Sequence, residues 1–203
     1  MKDYKAEIIA VGTELLLGQI ANTNAQWISR QLAENGVNIH FHQVVGDNLA
    51  RVSQTFSEAQ KRSDIIIVTG GLGPTDDDLT REAFQTISGL NLVIHEPSLN
   101  KIHAYFKKHD SEMTSNNIKQ ARVFSEAHVL INHIGMAPGM IVEYKNKSWI
   151  FLPGVPSEMM RMFSDTVIPY ISQLTGQKQL IKSMILRFIG IGEAKLEYEL
   201  QDL

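Results

Sequence analysis

A glycine-rich segment followed by three consecutive aspartates is the part of the sequence best suited to chemistry. Residues 69–80 have the sequence T-G-G-L-G-P-T-D-D-D-L-T. Glycines let the main chain approach a ligand closely, so that backbone N–H groups can surround a phosphate, and the N-terminus of a following helix adds partial positive charge. The segment is not a Walker loop, because no Gly-Lys-Ser/Thr follows, and Asp76 stands where the dinucleotide fingerprint has its third glycine. It predicts a phosphate-binding loop of another kind.

The three aspartates conflict with a phosphate site unless a cation is present. Asp76, Asp77 and Asp78 would repel a nearby phosphate at short range. A divalent cation that bridges carboxylates and phosphate oxygens removes this conflict, as Mg²⁺ commonly does. The alternative is that the aspartates only cap the next helix and complement its dipole. One cap needs only one aspartate, so the run of three favours a metal site.

Two further segments each carry an acidic residue just after an apolar run. Residues 12–18 (G-T-E-L-L-L-G) contain Glu14, and residues 152–158 (L-P-G-V-P-S-E) contain Glu158. If both runs are parallel strands, their carboxyl ends meet at one sheet edge, where open α/β sheets bind ligands. Taken alone, Glu14 is an ordinary loop acid and 153–156 a rigid turn. At that edge Glu14 would lie near the aspartates, and residues 152–158 could form another wall of the same site, so the candidate metal ligands are Glu14, Asp77, Asp78 and Glu158.

The elements that would position these residues alternate between strands and helices. The apolar runs predict strands at 7–12, 37–45 and 64–69 and a hairpin of 140–144 with 148–152. Helical spacing and capping residues predict the helices at 24–35, from Asp47 to Arg62, and at 79–88, 98–108, 115–122 and 157–174. This alternation predicts an α/β fold with a doubly wound, mostly parallel sheet. A new strand at 183–189 and helix at 193–200 predict a truncated second domain, so we expect domains at 1–176 and 177–203.

The composition is that of an ordinary globular protein with a small-molecule partner. Of the 203 residues, 43% are hydrophobic and 20% are charged, and the net charge is −3. The absence of cysteine excludes disulfides, thiolate zinc sites and cysteine nucleophiles. The basic residues are scattered, which argues against a nucleic-acid partner. The apolar runs are too short for a membrane span and the N-terminus is no signal peptide, so we expect a cytoplasmic protein.

The combination of motifs resembles the CinA family (competence/damage-inducible proteins) and its molybdopterin-binding-like domain. The resemblance spans residues 6–172 and rests on G-T-E-L-L at 12–16 with Asn24, G-G-L-G-P-T at 70–75 with D-D-L-T at 77–80, and P-G-V-P at 153–156 with Glu158. It implies a three-layer fold like that of molybdenum-cofactor proteins. It also implies a homodimer that hydrolyses ADP-ribose to AMP and ribose 5-phosphate, dependent on a divalent cation (Mg²⁺, Co²⁺ or Mn²⁺) and potassium.

By the same resemblance, Asp78 and Asp77 are the expected catalytic residues. The expected substrate-binding residues are Gly70, Gly71, Gly73, Pro74, Thr75, Thr80, Asn24, Gly154, Pro156, Asn117 and Lys119. The competing hypothesis is a binding module that holds a molybdopterin-like or nucleotide ligand without cleaving it. Trp27 and Trp149 could stack on an adenine, although burial is the usual state of an aromatic side chain in a regular element.

Overall fold

A six-stranded sheet lies at the centre of the computed structural model, which describes residues 4–176 and 187–201. The strands are β1 (Lys5–Val11), β2 (Asn38–Val45), β3 (Ile65–Thr69), β4 (Leu92–Ile94), β5 (Arg122–Phe124), β6 (His128–Leu130), β7 (Gly139–Tyr144) and β8 (Lys147–Leu152). The helices are α1 (Thr13–Leu16), α2 (Thr23–Glu34), α3 (Leu49–Arg62), α4 (Thr80–Ser88), α5 (Glu96–Lys108), α6 (Ser115–Lys119), α7 (Pro156–Met162), α8 (Ile168–Thr175) and α9 (Glu193–Glu199). A π-helical segment, Phe163–Val167, joins α7 to α8.

The strand order in the large sheet is β2-β1-β3-β8-β7-β6, and β4 pairs with β5 in a separate two-stranded sheet. The first four strands in this order, β2, β1, β3 and β8, are mutually parallel. Strand β7 is antiparallel to both of its neighbours, β8 and β6. The β7–β8 hairpin turns at Lys145 and Asn146, both with positive φ, as a tight two-residue hairpin requires. The prediction of an α/β fold with a mostly parallel sheet is confirmed.

Helices cover both faces of the sheet, because the central strands are apolar on both sides. Ile66 and Val68 of β3 pack in one core with residues of α3 and α4, such as Phe56 and Phe84. Ile65 and Ile67 of the same strand pack in a second core with residues of α2 and of the segment from α7 to α8. The result is three layers, helix on sheet on helix. No helix among the described residues is long and apolar enough to cross a membrane.

The chain leaves β1 toward β2 on one side and later returns to place β3 on the other side. This reversal creates a crevice at the carboxyl ends of β1 and β3, the usual position of a ligand site in such sheets. The segments that follow β1, β3 and β8 all begin at this edge. They contain Glu14, the glycine-rich segment and Glu158, so the predicted shared edge is confirmed.

Several boundaries differ from the sequence-based predictions. Asn48, not Asp47, caps α3, since its side chain accepts a hydrogen bond from Arg51 N. The helix predicted at 115–122 ends at Lys119 and is followed by the unpredicted strand β5. The short strands β4 and β6 were also unpredicted. The strand predicted at 183–189 lies largely outside the described residues, while the helix predicted at 193–200 corresponds to α9.

Glu7 in β1 is a buried carboxylate that joins three parts of the fold. It is 0% exposed and accepts hydrogen bonds from Arg62 Nη2 (2.6 Å), Ser63 Oγ (2.6 Å) and Gln43 Nε2 (2.6 Å). Burial alone would raise the pKa of this carboxyl, but the hydrogen bonds outweigh burial and hold the pKa below its usual 4.5. Glu7 therefore stabilises the fold in its ionised form.

We expect Glu7→Gln to lower the free energy of unfolding by about 1–3 kcal/mol at pH 7, because a buried charge-assisted network loses its acceptor charge. A lowered folded-state pKa contributes stability above pH 4.5 and loses it as the pH falls through that lowered value. Urea unfolding should thus separate the variant from the wild type at pH 7 and much less at pH 3. The exposed Glu112→Gln serves as the control. An equal difference at both pH values would contradict this role of Glu7.

Candidate active site

A cavity of about 680 Å³ opens at the carboxyl edge of the sheet. Its lining comes from the segments after β1, β2, β3 and β8, from α5, from α6 and the residue after it, and from residues 134–137. Five carboxylates belong to this lining: Glu14, Asp47, Asp77, Asp78 and Glu158. The described lining includes no lysine, arginine or histidine. An anion could therefore bind here only if a cation came with it.

The glycine-rich segment offers main-chain donors to this cavity. Gly70 and Gly71 have φ of +101° and +66°, which side chains rarely tolerate. A Cβ on Gly70 would lie 2.2 Å from Val11 O, and one on Gly71 would lie 2.3 Å from Thr80 Oγ1. The glycines at these two positions are thus required by the fold itself. Within the described chain, the N–H groups of Gly71 and Gly73 donate no hydrogen bond, and both residues are partly exposed, so these two groups remain for a ligand.

The three aspartates differ in their surroundings. Asp77 and Asp78 line the cavity and Asp76 does not. Asp78 Oδ2 accepts hydrogen bonds from Thr75 N (2.9 Å) and Thr75 Oγ1 (2.5 Å), which leaves Oδ1 for a ligand. In the part of the chain that the structure describes, no side chain caps α4, whose N-cap residue is Leu79, so the helix-capping explanation of the aspartates does not hold.

Glu14 and Glu158 reach the cavity from two other segments. Glu14 is exposed and lies on α1. The first turn of α1 is held to the segment after β2, because Thr13 N donates a hydrogen bond to Asp47 Oδ2 (2.7 Å). Glu158 lies in the first turn of α7, and its Oε2 accepts a hydrogen bond from Asn132 Nδ2 (2.6 Å). The four predicted metal ligands are therefore brought to one cavity.

The donor set fits a hard divalent cation but not a preformed cage. Carboxylate oxygens are the ligands such cations prefer, and Mg²⁺ typically binds one or two carboxylates with water and substrate phosphate completing its shell. Among residues 4–176 and 187–201, no three His, Cys, Asp or Glu side chains lie close enough to hold one ion. The metal site stays a prediction, in which phosphate oxygens of the ligand supply the missing ligands.

Asn24 and Pro156 line a smaller cavity of about 110 Å³ that shares Glu14 and Gly154 with the main one. Asn24 is 9% exposed, and its Nδ2 donates to Thr69 Oγ1 (3.0 Å) and Gly154 O (2.8 Å). These bonds join the end of β3 to the segment after β8. Asn24 Oδ1 is buried without a hydrogen-bond partner in the described structure. Asn24 thus positions the Gly154 backbone, while its own side-chain oxygen Oδ1 accepts no hydrogen bond in the described structure.

Two of the residues expected to bind substrate, Thr80 and Lys119, line neither of these cavities. They hold the glycine-rich segment in place instead. The hydroxyl of the fully buried Thr80 donates to Gly70 O (2.8 Å). Lys119 Nζ donates to Thr75 O (2.9 Å) and Asp78 O (2.6 Å). The remaining predicted residues line the main cavity, namely Gly70, Gly71, Gly73, Pro74, Thr75, Asn117 and Gly154.

Two more basic residues, not predicted from the sequence, also bind backbone carbonyls of the cavity walls. The fully buried Arg81 donates to Leu72 O (3.0 Å), Gln120 O (3.2 Å) and Arg122 O (2.9 Å). Burial lowers the pKa of Arg81 to about 10, so its guanidinium is still charged at neutral pH. Lys101 Nζ donates to Gly135 O (2.6 Å) and to Asn132 O. The cations nearest the cavity therefore stabilise its walls.

Sequence reasoning also missed part of the lining itself. The sequence predicts Asp47 as a helix cap, although its position two residues after a strand is a signal for the sheet edge. Tyr105, Phe106, Ile134 and Met136 also line the cavity, and their sequence context carried no such signal. Trp149 is 0% exposed, and Trp27 packs edge-on against Phe163 at 5.6 Å between ring centroids. Neither tryptophan lines the cavity.

Comparison with known proteins identifies the family. The model of a family described as a probable molybdopterin binding domain matches residues 7–173. A competence-damage inducible protein of Oceanobacillus iheyensis is 58% identical over 203 residues, which are 100% of this chain and 49% of that protein. Its counterpart in Bacillus subtilis is 51% identical over 98% of this chain and 48% of that protein. The chain thus spans about half the length of these curated relatives.

Solved structures agree with this assignment. The crystal structure of CinA from Thermoplasma acidophilum is 36% identical, with a TM-score of 0.72, over 79% of this chain and 94% of that one. The molybdopterin biosynthesis enzyme MoaB of Thermus thermophilus is 16% identical with a TM-score of 0.55, over 86% of this chain and 98% of that one, and so shares the fold. The chain therefore belongs to the CinA family and contains its molybdopterin-binding-like domain.

Proposed function

We propose that this domain hydrolyses a nucleotide pyrophosphate with the help of a divalent cation, and that its substrate is ADP-ribose, cleaved to AMP and ribose 5-phosphate. The observation that carries the proposal is the composition of the cavity wall. Five carboxylates and the glycine-rich segment, in which Gly71 and Gly73 have unpaired N–H groups, line one space whose described lining has no basic side chain. A ligand that only needed anion binding would be repelled by these carboxylates. A pyrophosphate accompanied by a cation satisfies both sets of groups.

The residues have separable tasks in this proposal. The N–H groups of Gly71 and Gly73 bind phosphate oxygens and hold the pyrophosphate in place. One or two carboxylates of the set Glu14, Asp77, Asp78 and Glu158 would hold the cation, with phosphate oxygens of the substrate completing its shell. When bound, the cation supplies charge neutralisation at the phosphorus and lowers the pKa of a bound water. Asp77 is a carboxylate of the cavity lining that can accept a proton from the attacking water.

Incubation of the protein with ADP-ribose tests the activity directly. We expect AMP to form in the presence of Mg²⁺, Co²⁺ or Mn²⁺ and not in the presence of a chelator. Adding K⁺ shows whether a monovalent cation raises the rate. Binding of ADP-ribose without formation of AMP under all these conditions would contradict the proposal and leave a binding module as the function.

Binding of ADP-ribose should itself depend on the divalent cation. Glu14, Asp77 and Asp78 face the same cavity, so uncompensated phosphates would be repelled from it. Calorimetry should therefore give at least roughly 10-fold tighter binding with Mg²⁺ than with a chelator, which corresponds to about 1.4 kcal/mol. Adenosine, which has no phosphate, provides the control and should respond little to Mg²⁺. Equal affinity of ADP-ribose under both conditions would mean that the acids do not face the phosphates.

A further inference from the structure

An apolar surface forms a separate part of the cavity lining. We call it the 105/134 face: Tyr105 and Phe106 of α5 with Ile134 and Met136 of the β6–β7 connection. Tyr105 is 45% exposed and Ile134 is 55% exposed. Two chain segments far apart in sequence thus bring large apolar side chains to the cavity that contains the glycine-rich segment. Exposed apolar groups that converge on a concave surface are typical of a ligand site.

The 105/134 face is held in a fixed position relative to the acidic part of the cavity. Lys101, one helical turn before Tyr105, donates to Asn132 O and Gly135 O and so ties α5 to the β6–β7 connection. Asn132 in turn donates to Glu158 Oε2. The Tyr105 ring packs on the His109 ring at 4.2 Å between centroids and meets Phe106 edge-on at 5.7 Å. The face is therefore preorganised, which lowers the entropy cost of binding.

The chemistry of the cavity specifies its ligand. The 105/134 face has no charged side chain, whereas the rest of the lining has five carboxylates and the glycine-rich segment. A matching ligand has a polyanionic end, which binds with a cation, and an apolar end. The volume of about 680 Å³ is in the usual range for a ligand of nucleotide size. Tyr105 and Phe106 are the aromatic side chains of the described lining, and aromatic rings stack on any base.

We propose that the 105/134 face binds the planar heterocycle of the ligand, a nucleobase, while the glycine-rich segment binds its pyrophosphate. This inference rests on the proposed function for the position of the pyrophosphate. It adds the surface that binds the base of the substrate, and identifies Tyr105 and Ile134 as specificity-determining residues.

The test compares ligands with and without a base, by calorimetry in the presence of Mg²⁺. For Tyr105→Ala we expect the dissociation constants of ADP-ribose and AMP to rise roughly 10-fold or more, because one stacking contact with the base is lost. Binding of inorganic pyrophosphate should not change. Ile134→Ala, on the other segment, should give the same selective loss, and Tyr105→Phe should restore binding. Tyr198→Ala, an aromatic residue of α9 that is 70% exposed and outside the cavity, is the matched control.

This test of the base site does not depend on whether the protein hydrolyses ADP-ribose. AMP has no pyrophosphate to cleave, so a selective loss of AMP binding supports the base site even if no hydrolysis occurs. Unchanged binding of ADP-ribose and AMP by folded Tyr105→Ala would overturn the inference. An equal loss for pyrophosphate and for the nucleotides would also overturn it, since this would indicate a general disturbance of the cavity. The inference would also be overturned if the wild-type protein did not bind AMP.

Discussion

Asp78→Asn is expected to lower kcat/KM for ADP-ribose by two orders of magnitude or more, the scale of losing a key electrostatic group. Asparagine keeps an oxygen that can accept the hydrogen bonds from Thr75 N and Thr75 Oγ1, so the segment should keep its shape. It lacks the negative charge that a cation requires. Thermal unfolding should therefore change little while activity falls. Steady-state kinetics and a melting curve on the same preparation check both statements.

Asp76→Asn is the matched control for Asp78→Asn. It removes the same charge from the same segment, but Asp76 does not line the cavity. Its activity should stay within about twofold of the wild type, as expected of an exposed position. Full activity of Asp78→Asn would contradict the proposed metal site. Equal losses in both variants would mean that total charge near the cavity matters, and not the position of one carboxylate.

Arg81→Met is expected to destabilise the protein by about 3 kcal/mol or more, because three backbone carbonyls lose their donor and each unsatisfied group costs about 1–3 kcal/mol. The carbonyls belong to Leu72, Gln120 and Arg122. At about 2–4 °C per kcal/mol for a chain of this size, the melting temperature should fall by roughly 6 °C or more. The KM for ADP-ribose should also rise, since Leu72 and Gln120 line the cavity.

Two controls separate the hydrogen bonds of Arg81 from its charge. Arg81→Lys keeps the charge but lacks the planar fork that serves three acceptors, so its stability should fall between that of Arg81→Met and the wild type. Arg161→Met removes an arginine that is 62% exposed and that, among the described residues, pairs only with Asp165, so it should cost little. Wild-type stability of Arg81→Met would show that water satisfies these carbonyls instead.

The central strands and the position of the site could be predicted because their signals are local. The aliphatic run before Thr69 is buried on both faces, and glycines at 70, 71 and 73 follow it directly. A strand that ends in a glycine-rich turn places that turn at the carboxyl edge whatever the rest of the fold does. The same reasoning located Glu14 and Glu158, since each follows its own strand.

The remaining features depend on contacts between distant segments. The helix predicted at 115–122 ends early, and the carbonyls of Gln120 and Arg122 bind Arg81 instead of continuing a helical pattern. Asp47 resembles a helix cap in sequence but binds Thr13 N, 34 residues away. Tyr105 lies on an amphipathic helix where an exposed aromatic looks like ordinary surface. Three-residue strands such as β4 are too short to show a periodic pattern.

The cavity wall is assembled from segments near residues 12, 47, 70–78, 105–120, 134–137 and 153–158, which meet only when the chain is folded. An unfolded chain has no such wall, so a ligand of this cavity binds the native state alone and shifts the folding equilibrium by mass action. At a free concentration 100 times its dissociation constant it would add about 2.7 kcal/mol to the free energy of unfolding. A thermal-shift screen of nucleotides with and without Mg²⁺ should therefore rank ligands by affinity, with no assay of turnover.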